Sequence, residues 1–347
     1  MVLAVGGYPV NEFIKSIARK CLSDKQYKTL QRPYSSIKRN VSFFVHYKDY
    51  LDYKKEIQNR SGLSIFDYKG LAKDMPLVTR ETGFSPFYGL DHIVKKIYGI
   101  PEWRTLPGRI EHGFYPCNDI SKADTDMNVI YTMSGTRKSY LKKMLPNKKI
   151  YALEPYIQYV DGMYSASDAS KIKKELGKTL VVFPFHSTHH VIVGTTRNIF
   201  QSFIDEINKV KAMHHFDTVL VNLYWKDILL GRDEIYLKNG YRICTAGHIY
   251  DTNFLRRLKS IIAIADMTMG NDVGTHIGYT ISEGKSHYLY YTNSFIESDD
   301  PHEGENLSEE NVKFHEMVLS DMKEAFGTYH ENITEAAKRC FCKYFDK

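Results

Sequence analysis

Residues 265–279 read Ala-Asp-Met-Thr-Met-Gly-Asn-Asp-Val-Gly-Thr-His-Ile-Gly-Tyr. A short apolar strand ending at Met269, a turn holding Gly270 and Gly274, and a helix opening near Thr275 would aim free backbone N–H groups and the positive end of a helix at one point. Phosphate binds at such a point. Asn271, Thr275 and His276 add side-chain donors, and Lys285 adds a cation one turn further on. A strand-to-helix turn that only needs glycine has the same spacing, so the chemistry depends on what converges with it.

Two more polar clusters do converge. Phe183-Pro-Phe-His-Ser-Thr-His-His190 follows one strand and Thr245-Ala-Gly-His-Ile-Tyr-Asp251 follows another, which puts His186, Ser187 and Thr188, together with Gly247 and His248, at the carboxyl edge of the same sheet. Ligands of open α/β sheets bind outside that edge. His189 and His190 suggest a metal only if a second ligand set exists, and none is visible. Arg109-Ile-Glu-His-Gly113 offers a general base: an imidazole with a pKa near 6.5 suits removal of a hydroxyl proton at neutral pH, and His112 and Glu111, being adjacent, cannot both face one cleft. Asp124-Thr-Asp126 is a literal DxD, but it precedes a strand instead of following one and reads as a cap or turn.

The elements that must position these groups are clearest after residue 170. Apolar runs at 179–185, 217–224, 241–246, 267–269 and 287–291 read as strands. Helical spacing covers 198–213, a helix capped by Asp251 carries Phe254, Leu255, Leu258, Ile261 and Ile262, and a short helix at 274–283 stops at Gly284. Strands alternating with helices make a parallel sheet covered on both faces. Before residue 160, strands are expected at 1–5, 41–46, 129–132 and 149–153; 154–169 has the composition of a linker, 297–310 carries seven acids and no Lys or Arg, and 311–345 has helical periodicity.

From Leu180 to Tyr290, together with His112-Gly113 and Glu154-Pro-Tyr-Ile157, the chain resembles bacterial glycosyltransferases of GT-B architecture from capsule, lipopolysaccharide and teichoic-acid synthesis. The resemblance implies two Rossmann-like domains facing across a cleft. It places an acceptor-side α/β domain at 1–160, a nucleotide-sugar-binding domain at 170–300 and a closing helical segment at 311–347. It implies His112-Gly113 on the acceptor side, with His112 or else Glu111 as base in an inverting reaction, and Gly274, Thr275 and His276 under the donor phosphate. His186-Ser187 is similar to the nucleotide-side histidine motif of transferases using cytidine-monophosphate sugars, with serine where those have proline. A metal is expected to be dispensable and no cofactor is required beyond the nucleotide-sugar substrate; the acceptor is a glycan or lipid-linked glycan. A nucleotide-sugar 2-epimerase on the same architecture, and a non-catalytic sugar-nucleotide-binding subunit, are the alternatives.

Composition agrees with a folded α/β enzyme. The 347 residues suffice for two cores, with 43% apolar and 25% charged residues. The net charge of +6 favours anionic partners without the dense basic stripe and reading motif of a nucleic-acid binder. Five cysteines without CxxC spacing argue against structural zinc or a disulfide framework. No apolar run nears the ~18 residues of a membrane span, so a cytoplasmic enzyme is expected, with peripheral contact at the inner membrane face open to it.

Overall fold

The computed structural model describes residues 47–75, 87–104, 106, 108–115, 120, 122–187, 191–192, 197–292, 297–298 and 309–347. The strands expected at 1–5 and 41–46, Thr188, His189 and His190 lie outside these residues, as do Cys21 and Cys117.

Three short strands, β1 (Arg109–Ile110), β2 (Val129–Thr132) and β3 (Lys149–Ala152), form a parallel sheet in the order β1-β2-β3. Its register pairs Arg109 with Ile130 and Val129 with Lys149. Between β2 and β3 the helix Gly135–Met144 starts at Ser134, whose hydroxyl accepts the Arg137 N–H at 3.3 Å, and it drops Leu141 onto Ile130 and Ile150.

The larger sheet contains β4 (Thr179–Phe183), β6 (Thr218–Asn222), β7 (Arg242–Cys244), β8 (Met267–Gly270) and β9 (His287–Leu289), all parallel, in the order β7-β6-β4-β8-β9. The remaining pair, β5 (Val191–Ile192) and β10 (Glu297–Ser298), is antiparallel, so the acidic stretch 297–310 contributes a short strand where it is described. Every residue of β4 is buried, because alternate side chains serve opposite faces. Val181 and Phe183 join one core with Leu255, Leu258, Ile261 and Ile262 of the helix Phe254–Ile264. Leu180 and Val182 join the other with Phe203, Ile204, Ile207 and Val210 of the helix Arg197–Met213. The first of these cores also holds Ile110, Tyr131 and Leu153, so apolar packing runs without a break from the small sheet to the large one.

Two local expectations are corrected. The segment read as a linker is built into this core: Tyr156 and Ile157 are fully buried in a 3-10 turn, the Tyr156 hydroxyl donates to the Glu111 carbonyl at 2.9 Å, and the helix Ala166–Leu176 begins within the segment. Its Gly, Ser and Asp mark turns between packed pieces, not a free connection. Asp251 does not cap the next helix; Asn253 occupies the cap, while Asp251 accepts the Asn253 N–H at 2.8 Å and pairs with the fully buried Arg257 at 2.7 Å. The last helices, Glu309–Phe326 and Glu335–Tyr344, pack on each other. No helix among the described residues is long and apolar enough to cross a membrane.

Candidate functional site

In the large sheet the chain leaves β4 toward β6 on one side and reaches β8 on the other, so the strand order reverses between β4 and β8. A crevice opens outside the carboxyl ends at such a point. Here it is a cleft of about 600 Å³. Its lower wall comes from the residues after β4 (Phe183–His186), β6 (Leu223, Tyr224), β7 (Ala246, Ile249) and β8 (Asp272–His276). The facing wall comes from Phe87, Tyr88 and the residues after β1, His112–Tyr115.

The turn after β8 has the expected form. Gly270 leaves room for its neighbours, since a Cβ there would stand 2.8 Å from His276 Nε2 and 3.2 Å from the Phe183 carbonyl and would push the His276 ring aside. Asn271 is buried and stitches the turn to its neighbours: Oδ1 accepts the Phe185 N–H at 2.6 Å and Nδ2 donates to Thr292 Oγ1 at 3.0 Å. It shapes the site from beneath and does not line the cleft. Gly274 is the N-cap of the helix Thr275–Ser282 in extended conformation, with no side-chain cap; the Ile277 N–H is bonded to the Gly274 carbonyl at 3.1 Å, which leaves the N–H groups of Thr275 and His276 to a ligand. Thr275 Oγ1 accepts the Phe114 N–H at 2.8 Å and keeps its own proton to donate. The His276 ring stacks on Phe183 at 5.1 Å, and burial, aided by the nearby His186, lowers its pKa to about 3, so it is neutral. Asp272 also lines the cleft; burial raises its carboxyl pKa, against the Val273 N–H it accepts at 2.7 Å and the attraction of His186.

Across the cleft His112 is exposed to the cleft interior, with its ring 5.4 Å from that of Phe87 and 6.1 Å from that of Tyr115. Desolvation by the surrounding protein and then the charge of Arg109 lower its pKa to about 4, a depression that water in the cleft weakens. Gly113 beside it lets the wall touch the opposite turn, because a Cβ there would overlap the Thr275 hydroxyl. Tyr88, at φ 61° and followed by Gly89 at φ 73°, turns its ring into the cleft against Phe254 at 4.6 Å. Burial raises its hydroxyl to about pKa 12, opposed by a hydrogen bond with Tyr224.

Glu111 points away from the cleft. It is fully buried and held by Arg137, whose Nε lies 3.0 Å and Nη2 2.7 Å from Oε1. Asp124 of the DxD is likewise buried in an ion pair with Arg109, so that carboxylate is already engaged. His186 lines the cleft, its ring 4.5 Å from Tyr224; Nδ1–H donates to the Ser187 carbonyl at 2.9 Å, leaving Nε2 as the acceptor in the neutral ring. Ser187 is buried behind it, donating to Asp227 Oδ1 at 2.8 Å with Arg232 bonded to both. Gly247, at φ 97°, and the buried His248 lie beneath Ala246 and Ile249: His248 Nδ1 accepts the Tyr250 N–H at 3.2 Å and Nε2 stands 3.3 Å from Asp74 Oδ1. Lys285 is at the other edge of the sheet. The eight-residue helix Thr275–Ser282 spans about 12 Å, carrying the chain back toward the start of β9, and Lys285 Nζ donates to the Ala265 carbonyl at 2.6 Å.

The structure therefore brings together His112, His186, Gly274, Thr275 and His276, and sets Glu111, Ser187, Gly247, His248, Asn271 and Lys285 outside the lining. It adds Tyr88, Tyr224 and Asp272. Asp272 sits inside the glycine turn already singled out, and Tyr224 ends an apolar strand as Phe183 does. Nothing in local spacing marks Tyr88.

No family model and no curated protein matches the chain by sequence. Among solved structures it is similar to the UDP-GlcNAc 2-epimerase from Methanocaldococcus jannaschii, at TM-score 0.34 and 9% identity over 65% of this chain and 60% of that one. It is also similar to the UDP-GlcNAc 2-epimerase from Neisseria meningitidis bound to UDP-GlcNAc, at TM-score 0.33 and 10% identity over 62% and 61%. This chain thus spans about 60% of the length of those proteins. At such scores the likeness establishes neither a family nor an activity, and the parallel α/β architecture stands on the strand order itself.

Proposed function

We propose that this chain is a sugar-nucleotide enzyme that transfers a glycosyl group, without a metal ion, from a nucleotide-sugar in the cleft to a surface-glycan or lipid-linked glycan acceptor. One observation supports it above the rest: an uncapped helix N-terminus at the strand-order reversal opens into an aromatic cleft of about 600 Å³ with His112 on the facing wall. The leaving phosphate accepts the N–H groups of Thr275 and His276 and the Thr275 hydroxyl, a preorganised stabilisation of developing negative charge. His112, neutral and without an ion pair to a carboxylate among the described residues, takes the proton of the acceptor hydroxyl as that oxygen attacks the anomeric carbon.

A second reading has its own support. Asp272 lies on the phosphate side of the cleft with its carboxyl pKa raised, where it reaches the donor and not the acceptor, as a 2-epimerase acting on the donor alone would need. Product analysis separates the two: transfer consumes donor only with acceptor present, epimerisation converts it without one. For both, Thr275→Ala should weaken nucleotide binding by about 10- to 150-fold, the loss of one hydrogen bond to a charged group; unchanged affinity by calorimetry removes the phosphate from this turn.

A further inference from the structure

The helix that opens at Gly274 is held from behind by a residue that never reaches the cleft. Gly278 lies three residues after Thr275, on the same face of the helix. The space its missing side chain leaves is filled by the Phe345 ring, and a Cβ there would overlap that ring. Phe345 is fully buried, and its ring is 4.9 Å from that of Phe114. Phe114 in turn lines the cleft two residues after His112 and gives its amide proton to Thr275 Oγ1. Phe114 is thus gripped twice, through its amide by Thr275 and through its ring by Phe345.

The segment that carries Phe345 is itself anchored on the opposite half of the molecule. The Asp346 carbonyl accepts the Gly135 N–H at 2.8 Å, and the Thr136 hydroxyl donates to the Lys343 carbonyl, both at the start of the helix Gly135–Met144. Lys347 Nζ pairs with Glu154 at 2.8 Å. A segment fixed to the small-sheet half therefore presses an aromatic ring into a helix of the large-sheet half, immediately behind the contact where the two cleft walls meet.

We propose that Phe345 is a positioning residue, seated on Gly278, that holds the Thr275–Ser282 helix against the Phe114 wall and so fixes the distance from His112 to a ligand on that helix. The ligand arm of this inference depends on the function proposed above; the structural arm does not. Nucleotide contacts lie on one wall and the base on the other, so loosening the clasp should spare binding and slow chemistry. A displacement near 1 Å can cost about 10²-fold in turnover.

Hydrogen exchange resolved at the Phe114 amide is the direct test, applied to Phe345→Ala, to Phe345→Leu as the conservative variant, and to Gly278→Ala, which displaces the ring from the other side. Phe345→Ala and Gly278→Ala should each speed exchange at Phe114 at least tenfold while β4 and β6 amides keep their rates, with Phe345→Leu near wild type. Turnover should fall by about 10²-fold with the nucleotide Kd changed less than threefold. Unchanged Phe114 exchange in whichever of the two disruptive variants folds, or an equal rise at all amides, would overturn the proposal. If wild-type protein turns over no sugar nucleotide, the proposed function fails, and the amide rates still decide this inference.

Discussion

Replacing Glu111 with alanine separates a structural carboxylate from a catalytic one. The Glu111 carboxylate is fully buried and Arg137, 6% exposed, gives it two hydrogen bonds of 3.0 and 2.7 Å, with a third contact at 3.3 Å to the second oxygen. Removing it strands a buried guanidinium, partly compensated by the faces of Tyr115 and Tyr140 at 5.0 and 5.7 Å. Breaking a buried pair from one side costs about 3–5 kcal/mol. With an unfolding entropy of about 2.1 cal/mol/K per residue, a chain of 347 residues melting as one unit would lose about 4–7 °C in Tm. Calorimetric melts at neutral pH read this directly, alongside turnover measured well below the transition. Glu111→Leu combined with Arg137→Met should recover most of the loss, since an apolar pair of similar volume avoids the stranded charge. An alanine variant that melts with the wild type but is inactive would refute the reasoning and make Glu111 the base.

Two pH dependences follow. As general base, His112 should give an acid limb in kcat/KM below pH 5, near its depressed value of about 4, and His112→Ala should lower turnover by about 10²–10⁴-fold with donor affinity kept; a limb at pH 6.5 would mean that cleft water cancels the desolvation. His276 and His287, both neutral through burial, have folded pKa values below the unfolded value of about 6.5. The unfolded chain therefore binds more protons between that value and the folded ones, so their contribution to stability is intact above about pH 6.5 and declines as the pH falls toward 3. Tm against pH for wild type and His276→Gln measures it, and identical slopes would sink the assignment.

The parallel sheet was legible because its strands are buried on both faces and so appear as short β-branched runs bounded by turns: β4, β6 and β8 fall within two residues of their expected limits. The glycine turn after β8 was legible for the same local reason. What spacing could not convey was orientation. Glu111 and His112 are neighbours with opposite fates because the partner that claims Glu111 is 26 residues away, in a helix whose first turn faces inward. Lys285 looked adjacent to the phosphate turn in sequence, but a full helix separates the two edges of the sheet. The segment at 154–169 has turn residues, Gly, Ser and Asp, whose presence conceals the burial of Tyr156 and Ile157. Tyr88 depends on a backbone conformation that residue type does not announce.

That conformation sets two selective pressures against each other. A bulky residue in the left-handed region costs on the order of 1–3 kcal/mol, and asparagine or glycine at Tyr88 would relieve it. The chain instead places there a ring packed on Phe254 and a hydroxyl paired with Tyr224 in the lining of the cleft. A library of variants enriched for heat tolerance alone would drift toward the smaller residues at this position, and one enriched for work done in the cleft would keep the tyrosine. The position is therefore one where improving the scaffold and preserving the site are opposed, and it is a poor choice for consensus-style stabilisation however favourable the backbone arithmetic looks.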